Sequence, residues 1–244
     1  MNVIDKVSLV PYYIQLADLL RQEIEKKTAN GEPYALPSEN DLCRQHGLSR
    51  TTVRHALDVL EREGRIFRKK GEGSFAVVKR VEQELTHLVS TTEDMKQRGW
   101  RLETRVLSVE RMLAPMLVRR NLDLDEGDDV YKLVRLRIGD GEPLSLQTAY
   151  LPTRLCPGLE ENDLSASLYR LLESRYGWRL WTAREVLRAL PATAEEAELL
   201  DMPEGAPVMV AQRVTYAASG EAIEYLEAIW RGDRYDFTVT LSRP

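Results

Sequence analysis

Between Pro11 and Lys27 the apolar residues Ile14, Ala17, Leu20 and Ile24 recur at spacings of three and four, the stripe of an amphipathic helix, and Pro11 suits its first turn. The Asn-Gly and Pro of Thr28-Ala-Asn-Gly-Glu-Pro33 break that pattern as a loop. Periodicity resumes at Ser38. Ser38-x-x-Asp41 has the form of a capping box, Leu42 points inward, and Gly47 supplies the left-handed stop that glycine adopts most cheaply. Ser49 caps a third helix. Its Val53, Ala56, Leu57 and Leu60 form one side, Arg50, Thr51, Arg54, His55 and Asp58 form the other, and Gly64 closes it. Ile66-Phe67 and Phe75-Ala-Val-Val78 then read as two short strands around the basic, glycine-rich turn Lys69-Lys-Gly-Glu-Gly73.

Downstream the pattern changes. Residues 79–88, with Glu82-Gln-Glu84, read as a linker between a domain at 9–78 and a second at 89–244. Ser90–Gly99 predicts a short helix with Ser90 and Glu93 as its capping box. Strand-like runs follow at Leu102–Arg111, Val130–Ile138, Leu144–Leu151, Leu180–Ala189, Val208–Tyr216, Ala222–Trp230 and Tyr235–Leu241. Gly139-Asp-Gly-Glu142 and Ala217-Ala-Ser-Gly-Glu221 look like hairpin turns, and Ser165–Tyr176 and Thr193–Asp201 read as helices. The fold class is α+β: a helical head with a small wing, then a mostly antiparallel sheet with helices on it.

Charge sharpens the division. The whole chain carries net charge −5, which taken alone argues against nucleic acid. Residues 1–80, however, hold 14 Lys and Arg against 11 Asp and Glu, while 81–244 hold 20 against 28. A basic head on an acidic body fits a nucleic-acid module joined to a partner domain. No apolar leader opens the chain and no run approaches the roughly 20 apolar residues that span a bilayer, so a cytoplasmic protein away from the membrane is expected. Cys43 and Cys156 lie far apart without a CxxC or a His cluster; reduced thiols, no metal and no cofactor are expected.

A recognition helix needs a polar, basic outer face near its start and an anchored inner face. Arg50 and Arg54 lie one turn apart on that outer face, each able to fork onto guanine O6 and N7 or to clamp phosphate. Thr51, Thr52 and the helix-start N–H groups suit phosphate oxygens. Arg68, Lys69 and Lys70 on the wing add backbone neutralisation, and Gly71 permits close approach. An isolated helix of this kind is usually just a solvated basic face. Here a tight glycine turn, an Arg/Thr-rich helix start and a basic glycine wing coincide. Leu36-Pro-Ser-Glu, Leu48-Ser-Arg-Thr-Thr-Val-Arg-His-Ala-Leu57, Glu63-Gly64 and Gly71-x-Gly-Ser-Phe75 resemble the winged helix–turn–helix of the GntR family of bacterial transcription regulators. By that resemblance Arg50, Thr52, Arg54 and Gly71 are the foremost DNA contacts, with Ser38, Asn40, Ser49, Thr51, His55, Arg68, Lys69 and Lys70 around them. The family commonly carries arginine where this chain has Asn40, which keeps hydrogen bonding but loses charge.

In the second half, Arg135 and Arg137 are two apart on a strand and share a face with Tyr131 and Leu133. Two arginines among apolar neighbours suggest an interior pocket for an anion, although exposed or ion-paired arginines are the commoner outcome. The helix starts at Ser90-Thr-Thr92 and Ser167-Leu-Tyr169 offer hydroxyls and free N–H groups, whose ordinary role is plain capping. Thr92-Glu-Asp-Met-Lys-x-Arg-Gly99, Val134-Arg-Leu-Arg137, Gly141-Glu-Pro143, Tyr150-Leu-Pro152, Gly205-Ala-Pro-Val208 and Arg231-Gly-Asp-Arg-Tyr-Asp-Phe237 resemble the UTRA effector domain of the HutC branch of GntR regulators, whose fold is chorismate-lyase-like. The resemblance implies an anion, such as a sugar phosphate, held by Ser90, Thr91, Thr92, Arg135, Arg137, Ser167 and Tyr169. Glu224 then contacts effector hydroxyls. Gln147 replaces a second acid common in that group, and Trp230 stands where tyrosine is frequent.

The sequence therefore predicts a ligand-responsive regulator: a homodimer on a palindromic double-stranded DNA operator, released by a small anionic metabolite. A non-phosphorylated carboxylate is the alternative effector. An enzyme is disfavoured because His46, His55 and His87 all lie in or beside the head and Glu224 alone makes no catalytic constellation. A constitutive DNA binder with a vestigial pocket is the third reading. Arg231-Gly-Asp233 is not read as an adhesion motif; Asp233 and Arg234 are read as a structural ion pair or turn.

Overall fold

Apolar stripes from three helices close on one another in the first part of the computed structural model, which describes residues 4–28, 33–77 and 80–242 and divides into residues 1–80 and 81–244. α1 (Tyr12–Lys27), α2 (Glu39–His46) and α3 (Arg50–Arg62) bury Leu16, Leu20, Ile24, Leu42, Val53, Leu57 and Leu60 in one core. Ile14 departs from the predicted stripe: it is 37% exposed, and Leu16 is buried instead. Leu16, Leu20 and Ile24 form one i, i+4 row, and Ile14 lies two residues, or roughly 200° around the helix, from Leu16.

Side-chain caps hold the two short helices. Ser38 Oγ accepts the Asp41 N–H and Ser49 Oγ accepts the Thr52 N–H, both at 3.2 Å. Each such cap contributes about 1 kcal/mol. Gly47, at φ +65°, turns the chain from α2 into α3. β1 (Ile66–Lys69) and β2 (Gly73–Ala76) form the antiparallel wing, with Ala35 adding a bridge to Phe75. The second wing strand begins two residues earlier than predicted, at Gly73. It ends at Ala76, and Val78 and Lys79 lie outside the described residues, as do residues 29–32 of the predicted loop.

The second unit begins with a correction to the predicted linker. Within 79–88, residues 81–84 form β3 (Val81–Glu84), paired in parallel with the last strand, Val81 opposite Tyr235. Val81 and Gln83 are buried while Glu82 and Glu84 are exposed. The charges at 82 and 84 hide a period-two pattern, and a partner strand from the far end of the chain overrides the weak β-propensity of this segment.

After α4 (Thr91–Gln97) come β4 (Leu102–Leu113), α5 (Met116–Leu122), β5 (Asp129–Gly139), β6 (Glu142–Pro152), α6 (Leu168–Tyr176), β7 (Leu180–Pro191), α7 (Ala194–Leu200), β8 (Pro207–Ala217), β9 (Ala222–Arg231) and β10 (Tyr235–Thr238). Six of the strands form a sheet in the order β4-β5-β6-β9-β8-β7, antiparallel at every neighbour. Asp140 and Gly141, at φ +51° and +90°, make the tight turn between β5 and β6. One sheet face carries Tyr131, Leu133, Ala149, Leu226 and Ala228 against Met95 of α4 and Leu168 and Leu172 of α6. The other packs on Val118 and Leu122 of α5 and Leu200 of α7. α5 has no counterpart in the predicted elements; it is seven residues long and shows only one apolar repeat, Val118 to Leu122. No helix among the described residues is long and apolar enough to cross a membrane.

The Arg231-Gly-Asp233 turn is structural. Arg231 donates from Nε and Nη2 to Asp233 at 3.0 and 2.6 Å and from Nη1 to the Leu200 carbonyl at 3.2 Å, and both side chains are buried. Removing one partner of a buried pair strands the other charge. Asp233→Ala should therefore lower the unfolding free energy in urea titrations by about 3–5 kcal/mol.

Candidate nucleic-acid interface and effector cleft

α3 presents its start to solvent. Arg50, Thr51, Arg54 and His55 are exposed and Thr52 is half-buried, with Val53, Ala56 and Leu57 beneath them. Ser49 does two jobs here, capping the helix and contacting the Thr52 hydroxyl at 2.8 Å. Ser38 and Asn40 are exposed at the start of α2, so all of these side chains can face a ligand. Arg54 Nε donates to Glu39 Oε2 at 2.9 Å. The wing is tied to the same helix: Arg68 Nη2 lies 2.6 Å from Asp58 Oδ1 and reaches the Arg54 carbonyl at 3.5 Å. Lys69, Lys70 and Gly71 sit exposed at the wing tip, where Gly71 has φ +83°. His55 differs from a simple outward contact. Its ring stacks on Tyr13 of α1 at 4.1 Å between centroids, which fixes its plane and ties α3 to α1.

The second unit holds a small cleft, about 20 Å³ in volume, on the α4/α6 side of the sheet, lined by Val89, Ser90, Thr91, Arg135, Arg137, Gln147, Leu168, Tyr169, Arg213, Glu224 and Leu226. β5 supplies the arginines because its period-two alternation keeps Leu133, Arg135 and Arg137 on one face. Both arginines are only 3% exposed. Arg137 is well satisfied. It donates to Gln147 Oε1 at 3.0 Å, Thr104 Oγ1 at 2.5 Å and Thr92 Oγ1 at 3.3 Å. Arg135 is not: its Nε and Nη1 are buried without a hydrogen-bond partner among the described residues.

Burial pushes the Arg135 guanidinium below its ordinary range. Burial, reinforced by Arg135 as a like charge, pushes Arg137 down to about 9, which leaves it ionised at neutral pH. Glu224, 1% exposed, accepts from Tyr169 Oη at 3.1 Å and from Thr215 Oγ1 at 3.3 Å. Desolvation raises its carboxyl above the usual range, against the pull of Arg135 and Arg213. Arg213 itself is held by Glu185 at 2.9 Å. Three guanidinium groups thus face two carboxylates, Glu224 and Glu185, and the surplus positive charge sits where water is scarce. An isolated buried charge is costly. An anion with several oxygens would satisfy Arg135 and neutralise the surplus at once.

Three candidate residues lie outside the cleft lining. Thr92 Oγ1 accepts from Arg137 Nη1. Ser167 caps α6 and shares a 2.9 Å hydrogen bond with Ser90, joining the starts of α6 and α4. Trp230 shares the sheet face but sits one rung beyond Ala228, opposite Ser145, where its indole packs on Tyr235 and Phe237 at 4.8 and 4.7 Å. Arg213 lines the cleft without having been singled out in the sequence. Its signal was a period-two pattern of Ala211, Arg213 and Thr215 within a predicted strand, the same device that marked Arg135 and Arg137.

The profile of bacterial regulatory proteins of the gntR family matches residues 12–76, and that of the UTRA domain matches residues 97–236. The chain belongs to the GntR family. It is 34% identical over 246 residues to the HTH-type transcriptional repressor NagR of Bacillus subtilis (strain 168), covering 100% of this chain and 99% of that one. It is 28% identical over 236 residues to the mannosyl-D-glycerate transport/metabolism system repressor MngR of Escherichia coli (strain K12), covering 96% and 97%. The crystal structure of PhnF from Mycobacterium smegmatis superposes with a TM-score of 0.67 at 30% identity, over 92% of this chain and 99% of that one. As a GntR regulator of the UTRA-bearing HutC branch, the chain is a DNA-binding transcriptional regulator and not an enzyme.

If Arg135 is kept for a ligand, it should cost stability in the unliganded protein. Arg135→Met, similar in length and apolar, should raise the unfolding free energy by about 1–4 kcal/mol in denaturant titrations without ligand. A loss of stability would instead make Arg135 a structural residue.

Proposed function

We propose that this GntR regulator is a repressor that binds a palindromic operator as a homodimer and is released when a small anionic metabolite, a sugar phosphate, occupies the cleft of its UTRA domain. Arg135 carries the reading: a nine-tenths-buried cation with two unpartnered donors aimed into a cleft that also offers Arg137, Ser90, Thr91 and Tyr169. Its charge and donors suit phosphate oxygens. Glu224, Gln147 and Arg213 suit the hydroxyls beyond. Two relatives named as repressors, one of a mannosyl-D-glycerate system, support a sugar-derived anion.

On the DNA side, Arg50 and Arg54 read base edges, Thr51, Thr52, Ser38 and Asn40 hold phosphate, and Arg68, Lys69 and Lys70 neutralise the backbone from the wing. Two heads on one palindrome enter successive major grooves, which ties operator symmetry to the symmetry of the dimer. The protein works in the cytoplasm, where operator and phosphorylated sugars meet.

Effector and operator must weaken each other by the same factor, typically about 5–150-fold. Fluorescence anisotropy on the DNA upstream of the protein's own gene, at one fixed salt concentration, measures that factor for hexose 6-phosphates, hexosamine 6-phosphates and sugar acids. At least one sugar phosphate should weaken operator binding by this amount. Arg135→Ala and Arg137→Ala should abolish the response while leaving operator affinity intact. A phosphate ester that binds without changing operator affinity refutes the switch, and a response confined to sugar acids makes the effector a carboxylate.

A further inference from the structure

The cations of the recognition surface are not equally free. Arg54 Nε lies 2.9 Å from Glu39 Oε2, and Lys69 Nζ lies 2.9 Å from Glu72 on its own wing. Arg50 has no ion pair among the described residues. The Arg54 pair differs from the wing pair because it joins the two helices of the motif. Glu39 is the first residue of α2, where the helix start favours a carboxylate, and Arg54 lies in the second turn of α3. The next residue, Asn40, is neutral, so no adjacent cation competes for the Glu39 carboxylate.

The bond engages the Nε edge of Arg54 and leaves both Nη groups as donors. Those two groups, presented end-on, match O6 and N7 of guanine. An unrestrained arginine on an exposed helix samples many rotamers and clamps phosphate as readily as a base. A carboxylate on its Nε edge removes that freedom before DNA arrives. It also repels phosphate oxygens while accepting the neutral edge of a base pair, including the N4 amino group of a neighbouring cytosine.

We propose that Glu39 is a positioning residue for sequence reading: it holds Arg54 by Nε so that the guanidinium faces guanine and not the phosphate backbone. The side chain sets specificity by constraining one contact, and its removal should strengthen the wrong binding as well as weaken the right one.

The test uses the full chain, a duplex that the wild-type protein selects from a random pool, and a scrambled duplex of equal length, titrated by anisotropy over a series of salt concentrations. Glu39→Gln should tighten binding to the scrambled duplex and reduce the preference for the selected one about tenfold, within the range a single base contact supplies. Binding to the scrambled duplex should also become steeper in log salt by about 0.9, the signature of one further phosphate contact. In an Arg54→Ala background Glu39→Gln should change neither quantity. An unchanged preference and salt slope, or an equal effect without Arg54, overturns the assignment and leaves Glu39 a helix-start residue only. If Glu39→Gln lowers the melting temperature enough to unfold the head, Glu39→Asp serves. It keeps charge at the helix start but withdraws it from Nε, and the preference should again fall; an unchanged preference there also overturns the assignment.

Discussion

The second unit is organised around the difficulty of keeping guanidinium groups inside a sheet. Arg135, Arg137 and Arg213 sit on the same face as Leu133, Ala149, Leu226 and Ala228, a face that would otherwise be an ordinary apolar layer. Each arginine is handled differently. Arg213 has a carboxylate, Arg137 has neutral oxygens from Gln147, Thr92 and Thr104, and Arg135 keeps two bare donors. The helices above the cleft and the hydroxyls at their starts are arranged about that gradient from paired to unpaired. In a cavity made this way a neutral ligand would leave the surplus charge where it was.

How much of this was legible in the chain depends on whether the signal was local. Ser38, Gly47 and Ser49 declare the helix–turn–helix because caps and left-handed turns are set by neighbours within four residues. Arg135 and Arg137 could be placed on one face because strand alternation is also local, but their burial was not legible from the residues alone, where exposed or ion-paired arginines are the commoner outcome; it depends on the helices that cover that face. β3 was not legible, because its partner is β10 at the other end of the unit and its own composition is charged. The position of Trp230 is likewise a matter of tertiary neighbours: alternation gives its face, but only the packing of Tyr235 and Phe237 shows that the space beside it is already filled.

The recognition surface shows the opposite arrangement of charge. It is exposed, and three of its cations are tethered by carboxylates from their own unit: Arg54 by Glu39, Arg68 by Asp58 and Glu61, and Lys69 by Glu72. Exposed pairs of this kind contribute little to stability, about 0–1 kcal/mol each. Their effect is on where the side chains point and on how much net charge DNA meets. The modest positive balance of residues 1–80, 14 basic against 11 acidic side chains, therefore understates the basic side chains available and limits indiscriminate attraction.

The parallel pairing of β3 with β10 makes the two ends of the second unit a single structural joint. Val81 N–H donates to the Arg234 carbonyl at 2.7 Å and Leu85 N–H to the Thr238 carbonyl at 3.0 Å, so the first residues of the unit are held by nearly the last. Ser90 and Thr91 enter the cleft within ten residues of Val81. Shortening the chain from its far end would thus act at its middle. Loss of Tyr235–Thr238 strips the segment that leads into the cleft of its ladder, and damage at the tail becomes a loosening of the chain between residues 1–80 and the cleft lining.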